Sequence, residues 1–180
     1  MAKEKRTRYA ILGTLSRGAA SGYDIKKTME NTTEYFWHES DSSIYPELKR
    51  LLSEGMVSCE ERKTQGSRLK KIYQITDAGR EQLHEWLLEE PVIFNPRNEL
   101  MLKVFFGFNV DPSVTVEHLQ VFRLRVQQRL RTQRRCQQEL EASELKGERL
   151  SRYLTLKAGV HFTQAQLKWI DEALELLNGG

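Results

Sequence analysis

Apolar positions along the chain change period several times. From Tyr9 to Leu15 they recur at helical spacing (Tyr9, Ala10, Ile11, Leu12, Leu15). Thr7 is placed to cap that helix, which should end near Gly18. Ser21-Gly-Tyr-Asp24 has capping-box spacing, with an acid where the helix dipole favours one, and opens a second helix through Ile25, Thr28 and Met29. Between Asp41 and Gly55 the residues Ile44, Leu48, Leu51 and Leu52 gather on one side of a third helix. Pro46 is expected in its first turn, where a missing N–H costs little, and Gly55 at a left-handed C-cap. The period then falls to two. Val57 and Cys59, then Ile72 to Ile75, predict a two-stranded hairpin turned by Gly66-Ser67. The core of this unit should hold Ile11, Leu12, Leu15, Tyr23, Ile25, Met29, Phe36, Ile44, Leu48, Leu51 and Val57, closed by Tyr73 and Ile75.

Helical spacing returns after Thr76 through Leu83, Trp86, Leu87 and Leu88, and Pro91-Val-Ile-Phe-Asn-Pro96 interrupts it. Asn95-Pro96 then caps a short helix, Leu100 to Phe106, that is apolar almost all round and should be buried on more than one side. Asp111-Pro112 starts a long helix reaching about Leu145, with Leu119, Phe122, Val126, Gln133, Cys136 and Leu140 at three-four spacing. After Gly147 a second long helix carries the cleaner seam Tyr153, Leu156, Val160, Thr163, Leu167, Ile170, Leu174 and Leu177. So narrow a stripe cannot enclose a core alone. Dimerisation is therefore expected through Tyr153, Leu156, Val160, Leu167, Ile170, Leu174 and Leu177; the competing arrangement is an antiparallel hairpin of the two helices within one chain. The fold class is mainly α with a small β-hairpin. Residues 1–90 form a winged helix-turn-helix and residues 91–180 a helical, long-helix dimerisation domain that is also the candidate effector-sensing part.

Charge changes the picture by segment more than in total. The 180 residues carry a formal +3, 39% hydrophobic and 29% charged residues, which describes a helix-rich globular chain. Residues 1–76 hold 14 Lys/Arg against 10 Asp/Glu, residues 77–90 one against five, and residues 91–180 13 against 10. Between Arg62 and Lys71, around the hairpin tip, stand five basic residues and no acid. A short-chained, hydrogen-bonding helix face followed by a basic hairpin is the layout of a reading helix with a phosphate-neutralising wing. Ser42, Ser43, Tyr45, Pro46, Lys49 and Arg50 are expected at the major groove, with Lys49 and Arg50 donating to guanine and Tyr45 taking a phosphate. Tyr23, at a helix N-terminus, should meet a phosphate, and Arg68, Lys70 and Lys71 the backbone or the adjacent minor groove. Lys3, Lys5, Arg6 and Arg8 form a basic arm suited to the backbone.

Enzyme chemistry finds no support. His38, His84, His118 and His161 are scattered without metal-ligand spacing, and neither a Gly-rich phosphate loop nor a nucleophile elbow occurs. No catalytic residue, metal or cofactor is expected. Cys59 and Cys136 lie far apart and read as reduced. No apolar run approaches the roughly 20 residues of a membrane span, and the start lacks a signal-peptide core, so a cytoplasmic location is expected.

Four segments carry a resemblance: Ser21-Gly-Tyr-Asp-Ile25, Ser43-Ile-Tyr-Pro-Glu-Leu-Lys-Arg-Leu51, Glu54-Gly-Met-Val57, and Lys71-Ile-Tyr-Gln-Ile-Thr-Asp-Ala-Gly-Arg80. They resemble the PadR family of bacterial transcriptional regulators and cover about the first 85 residues. Many members place a proline where this chain has Leu69. Asn95 to Gly107 is similar to the opening of the longer C-terminal domain found in the phenolic-acid-responsive and AphA-like branches. The resemblance implies a homodimer on an inverted-repeat operator in double-stranded DNA, usually as a repressor, with a phenolic acid as one class of inducer. Trp37, Trp86, Phe94, Phe105, Phe106 and Phe108 are candidates to line a small aromatic effector's pocket, though each also suits a core. Two rivals remain open. One is a transcriptional activator without a small-molecule effector. The other is a winged-helix protein-interaction module, against which the acid-free wing argues.

Overall fold

The computed structural model describes residues 4–33, 36–37, 39–63, 69–91 and 98–179, with the backbone alone for Glu4, Lys5, Asp41 and Lys63. Two compact units divide the chain, Met1–Val92 and Ile93–Gly180.

In the N-terminal unit the order is α1 (Glu4–Leu15), β1 (Ala20–Ser21), α2 (Gly22–Thr32), α3 (Asp41–Ser53), β2 (Val57–Lys63), β3 (Leu69–Ile75) and α4 (Asp77–Leu88). The hairpin is thus extended to a three-stranded antiparallel sheet of order β1-β3-β2. Ala20 pairs with Tyr73 and Ser21 with Ile72, while β2 and β3 pair from Val57↔Ile75 to Lys63↔Leu69. Ile11, Leu12, Ile25, Ile44, Leu48 and Leu51 are wholly enclosed, with Leu15, Met29, Val57, Tyr73 and Ile75 completing the core. Tyr23 and Phe36, expected there, are exposed. Tyr23 sits about 200° around the helix from Ile25 and so faces away from the core. Leu52, at the margin of the α3 stripe, is exposed as well.

Two helix starts differ from expectation. α1 begins at Glu4, so Thr7 lies inside it, buried, and its hydroxyl donates to Glu39 Oε1 at 2.7 Å instead of capping. α3 begins at Asp41 after Ser40, which puts Pro46 in the second turn. The Ser42 carbonyl therefore loses its usual i+4 donor on an exposed side of the helix, where water can replace it. The other end matches. Gly55 has φ +73°, Met56 N–H donates to Leu51 O (2.9 Å) and Gly55 N–H to Leu52 O (3.2 Å), the two bonds of a Schellman stop. Ser21 and Asp24 make the capping box. Thr76 caps α4 through Gly79 N–H, and its own hydroxyl reaches Gly55 O and Met56 O at 2.8 and 2.9 Å. This ties α4 to the end of the α3 stop.

The C-terminal unit contains α5 (Glu99–Phe105), a 3-10 turn (Gly107–Asn109), α6 (Pro112–Glu141) and α7 (Gly147–Asn178). Asn98, rather than Asn95-Pro96, caps α5, accepting from Met101 N–H at 3.2 Å; Asn95 and Pro96 lie outside the described residues. α6 stops short of Leu145, with Ala142 at its C-cap. The two long helices pack antiparallel: Arg149 Nε donates to Leu140 O (2.7 Å) near the loop, and Arg123 Nε to Asp171 Oδ1 (2.5 Å) at the far end. Leu156, Val160, Thr163 and Ile170 are buried in this single chain. The seam expected to join two chains is in large part occupied by the intramolecular hairpin, because α6 offers a matching stripe of Leu119, Val126, Leu130 and Gln133. Leu177 remains exposed. α5 buries one side only within this unit, through Leu100 and Val104; Leu102, Phe105 and Phe106 are exposed.

Candidate nucleic-acid interface

The outer face of α3 is built by subtraction. Ile44, Leu48 and Leu51 point into the core, which leaves Ser42, Tyr45, Pro46, Lys49 and Arg50 exposed and Ser43 half-buried. Ser40, at the N-cap, makes no capping bond; its hydroxyl joins those of Ser42 (2.7 Å) and Ser43 (3.1 Å). Three hydroxyls thus cluster where the helix begins. Each can donate or accept, as groups meeting phosphate oxygens or base edges must.

Gly22 explains how two sequence motifs become one surface. A Cβ at position 22 would lie 2.6 Å from Cε1 of Tyr45. Only a residue without a side chain lets the α3 tyrosine ring rest on the start of α2. Tyr23, 60% exposed at that same helix start, stands beside it in sequence. The free N–H groups and positive dipole end of α2 therefore share an edge with the α3 face.

The wing adds charge, but not as freely as its sequence suggests. Lys70 Nζ lies 2.8 Å from Asp24 Oδ2, and that oxygen also accepts from the Ser21 hydroxyl at 2.7 Å. The Lys70 ammonium, followed by the Ser21 hydroxyl, holds the Asp24 carboxyl below its ordinary value. Arg62 pairs with Glu60 at 3.2 Å. Lys71 is exposed and has no ion pair among the described residues. Arg68 lies outside the described residues. Burial raises the Tyr73 hydroxyl above its ordinary value, with Cys59 nearby as a further cause.

The two cations of α3 differ. Arg50 Nε lies 3.4 Å from Glu54 and its Nη1 3.8 Å from Glu47. Arg8 of α1 reaches the same two acids: Nε is 3.8 Å from Glu47, and Nη2 donates a hydrogen bond to Glu54 Oε2. Arg8, expected on a phosphate-touching arm, instead clamps α1 to α3, its side chain 15% exposed. Lys49 has no ion pair among the described residues. Lys3 and the Lys5 side chain lie outside those described, and Arg6 is half-buried.

Sequence reasoning missed Glu39, Glu47, Glu54 and the second role of Asp24. Glu39 is buried, and its Oε1 accepts from Thr7 and from Trp37 Nε1 (2.8 Å), which fixes the approach to α3. Spacing alone carries little signal for these, since most of their partners are distant in sequence; only Glu47 and Glu54 with Arg50 follow a local i,i+3 and i,i+4 rule. The aromatic residues proposed for an effector divide. Trp37 is held by Glu39, and Trp86 stacks on Tyr9 with centroids 4.4 Å apart. Phe105 and Phe106 meet edge to face and, like Phe108, are exposed within the C-terminal unit; Phe94 is not among the described residues. Among the described residues no group of His, Cys, Asp and Glu could hold a metal, and no helix is long and apolar enough to cross a membrane.

Comparison with known proteins fits this surface. Residues 11–85 match the transcriptional regulator PadR-like family, and residues 96–178 match the virulence activator alpha C-terminal domain. The negative transcriptional regulator PadR of Bacillus subtilis is 43% identical over 101 residues, a match spanning 55% of each chain. The crystal structure of that protein with operator DNA superposes with TM-score 0.83 at 29% identity, covering 94% of this chain and 96% of that one. Its complex with p-coumaric acid gives 0.73 at 29%, with 96% of each chain covered. The virulence activator AphA of Vibrio cholerae gives 0.76 at 26%, covering 96% and 98%. The family and these relatives are transcriptional regulators, not enzymes. One family domain thus follows the other over nearly the whole chain: a PadR-like transcriptional regulator domain, then a helical virulence activator alpha C-terminal domain.

Proposed function

We propose that this regulator binds an inverted-repeat operator as a homodimer and represses transcription until a small aromatic molecule releases it. The exposed face of α3 beside a basic two-stranded wing is the observation that carries the reading. Ser42, Ser43, Tyr45, Pro46, Lys49 and Arg50 face the major groove, and Tyr23, Arg68, Lys70 and Lys71 meet the backbone or the adjacent minor groove. Two copies are needed because one α3 reads only a half-site. The exposed apolar side chains of the C-terminal unit, Phe105 and Phe162 among them, support a dimer formed there. The complexes of Bacillus subtilis PadR with operator DNA and with p-coumaric acid support both the ligand and the class of effector. DNA binding and the absence of a spanning helix among the described residues suit a cytoplasmic protein.

A second reading shares the surface and differs in outcome: the protein activates transcription with no small effector. The match of residues 96–178 to a virulence activator's C-terminal domain favours it. Selection from random-sequence duplexes, with light scattering of the complex, tests the shared part. A dimer enriching half-sites about one helical turn apart is the expected result; a monomer enriching nothing overturns the reading. Transcription in vitro from the enriched operator, with and without p-coumaric acid, separates repression from activation.

A further inference from the structure

The wing is not the longest acid-free stretch in this chain. Between His118 and Gln138 there is no Asp or Glu, and six arginines: Arg123, Arg125, Arg129, Arg131, Arg134 and Arg135. Between Arg149 and Ile170 there is again no acid, and Arg149, Arg152, Lys157 and Lys168 add four cations. The antiparallel hairpin of α6 and α7 lays these two stretches side by side. Carboxylates collect at its ends instead, Glu139, Glu141, Glu144 and Glu148 near the loop and Asp171, Glu172 and Glu175 at the other.

Three features set this belt apart from an ordinary solvated face. First, the cations are not neutralised from within. Arg123 pairs with Asp171 and Arg135 with Glu139, but Arg125, Arg129, Arg131, Arg134 and Arg152 are exposed and have no ion pair among the described residues. Second, the arrangement works against the helix. Arg125 and Arg129 stand at i,i+4, as do Arg131 and Arg135, with Arg131 and Arg134 at i,i+3; like charges so placed destabilise an exposed helix. Third, α6 contains no lysine at all. Solubility would be served by either residue, whereas a planar fork of donors matches a phosphate's two oxygens. Among these arginines the exposed Gln128 and Thr132, with Gln138 just beyond them, are neutral side chains that also donate to phosphates, and Leu124 is the exposed apolar exception.

We propose that the midsection of the α6–α7 hairpin is a second DNA-contacting surface, one that binds duplex phosphodiester backbone without reading sequence. It rests on the reading above only in taking duplex DNA as this protein's polyanion. The belt supplies salt-dependent affinity for duplex outside the operator, where the α3 face has nothing specific to recognise.

The test uses the full-length protein and a random-sequence duplex, with affinity measured across a range of salt concentrations. Replacing Arg129, Arg131 and Arg134 together by Gln should make the slope of log K against log salt shallower by about one to three, at close to 0.9 for each phosphate that is no longer neutralised. The melting temperature should hold or rise, since like-charge pairs are removed. A wild-type slope in this variant overturns the proposal. The matching triple Lys variant guards against misfolding, because it keeps charge and should keep the slope. If it loses as much as the Gln variant, charge is not what binds and the proposal falls. Polyglutamate of matched charge, a polyanion that also releases counterions, should compete more weakly than unlabelled duplex; tighter binding of polyglutamate than of duplex by wild type but not by the Gln variant would assign the belt to an acidic protein instead and overturn the DNA assignment. Lys49→Ala, run in parallel on operator and scrambled duplexes, reports on the reading helix alone. Unchanged operator preference there removes the α3 assignment and leaves the belt result standing.

Discussion

The two units carry similar numbers of basic residues but place the unpaired ones differently. In the N-terminal unit several cations are answered by acids, Arg8 and Arg50 by Glu47 and Glu54, Lys70 by Asp24 and Arg62 by Glu60, while Lys49 on α3 and Lys71 on the wing have no ion pair among the described residues. In the C-terminal unit five arginines of the hairpin's midsection have no such partner among the described residues. Apolar side chains follow a parallel division. Among the described residues the first unit buries eleven of them around α1 and α3, while the second buries six, Leu119, Val126, Leu130, Leu156, Val160 and Ile170, and leaves Phe105, Phe108, Phe162 and Leu176 exposed. The exposed apolar side chains and midsection arginines of the second unit are left to meet something else, and for the apolar part the function proposed above supplies a second copy.

Truncating one large apolar side chain in each unit should separate them most strongly. Leu48→Ala removes a fully enclosed side chain and should cost about 2–5 kcal/mol, read as a lower denaturation midpoint. Phe162→Ser on the exposed side of α7 should leave that midpoint nearly unchanged at high protein concentration. If α7 meets a second copy there, dimer dissociation should strengthen about tenfold or more, as loss of an aromatic anchor does; a dimer constant equal to wild type would remove Phe162 from the interface. Next in size is Gly22→Ala. The added methyl collides with the Tyr45 ring, and relieving such an overlap typically costs about 1–3 kcal/mol. Affinity for operator should fall further than stability does, since the ring belongs to the exposed face. Equal losses would mean that Tyr45 only packs.

Within the reading helix, Lys49 and Arg50 are interchangeable as guanine donors on sequence alone. The structure ranks them. Arg50 must be drawn from Glu47 and Glu54 before it can bond to a base, whereas Lys49 gives up no ion pair among the described residues. Either substitution by Ala is expected to cost about 1–3 kcal/mol of operator affinity and relax sequence choice. Lys49→Ala should lie toward the upper end and Arg50→Ala toward the lower. Competition against scrambled duplex checks both, and the reverse order would show that the acids pre-orient Arg50 instead of holding it back.

Legibility from sequence follows the range of the interactions. The capping box at Ser21, the stop at Gly55 and the Thr76 cap use partners within a few residues, so their letters suffice. The α3 stripe is a local period and is readable to within Leu52 and the position of Pro46. β1 is not, because two residues have no period, and their pairing with Tyr73 and Ile72 spans about fifty positions. The long-helix seam is visible in the sequence but its partner is not. A stripe of apolar residues states that something covers it without stating which chain, and α6 supplies the cover. Lys70 is legible as a wing cation from its neighbours, whereas its pairing is hidden because Asp24 lies 46 residues away.

That pairing gives the smallest of the expected effects and the one most specific to the difference between the units. Asp24 sits at the start of α2, where a phosphate would also be drawn, and occupies Lys70 in its place. Because its carboxyl is held below the ordinary value, chiefly by Lys70 and then by Ser21, the pair contributes stability above the ordinary aspartate range. The contribution is lost as pH falls from there through the lower folded value, and it is constant at neutral pH. Asp24→Asn should imitate the acid state without acid, and its amide oxygen can still accept from Ser21. The freed Lys70 then meets one more phosphate. The salt slope on any duplex should steepen by about 0.9, which amounts to about fivefold in affinity at 0.15 M salt and is indifferent to sequence. Adding Lys70→Ala should cancel the gain, whereas Lys70→Ala alone should flatten the slope by less than one, since the pair already restrains that lysine. A steeper slope that persists without Lys70 would mean that Asp24 acts by repelling DNA directly. In that case the wing cation nearest the helix would be as fully neutralised in the complex as in the free protein, and the contrast with the unpaired arginines of α6 would be complete.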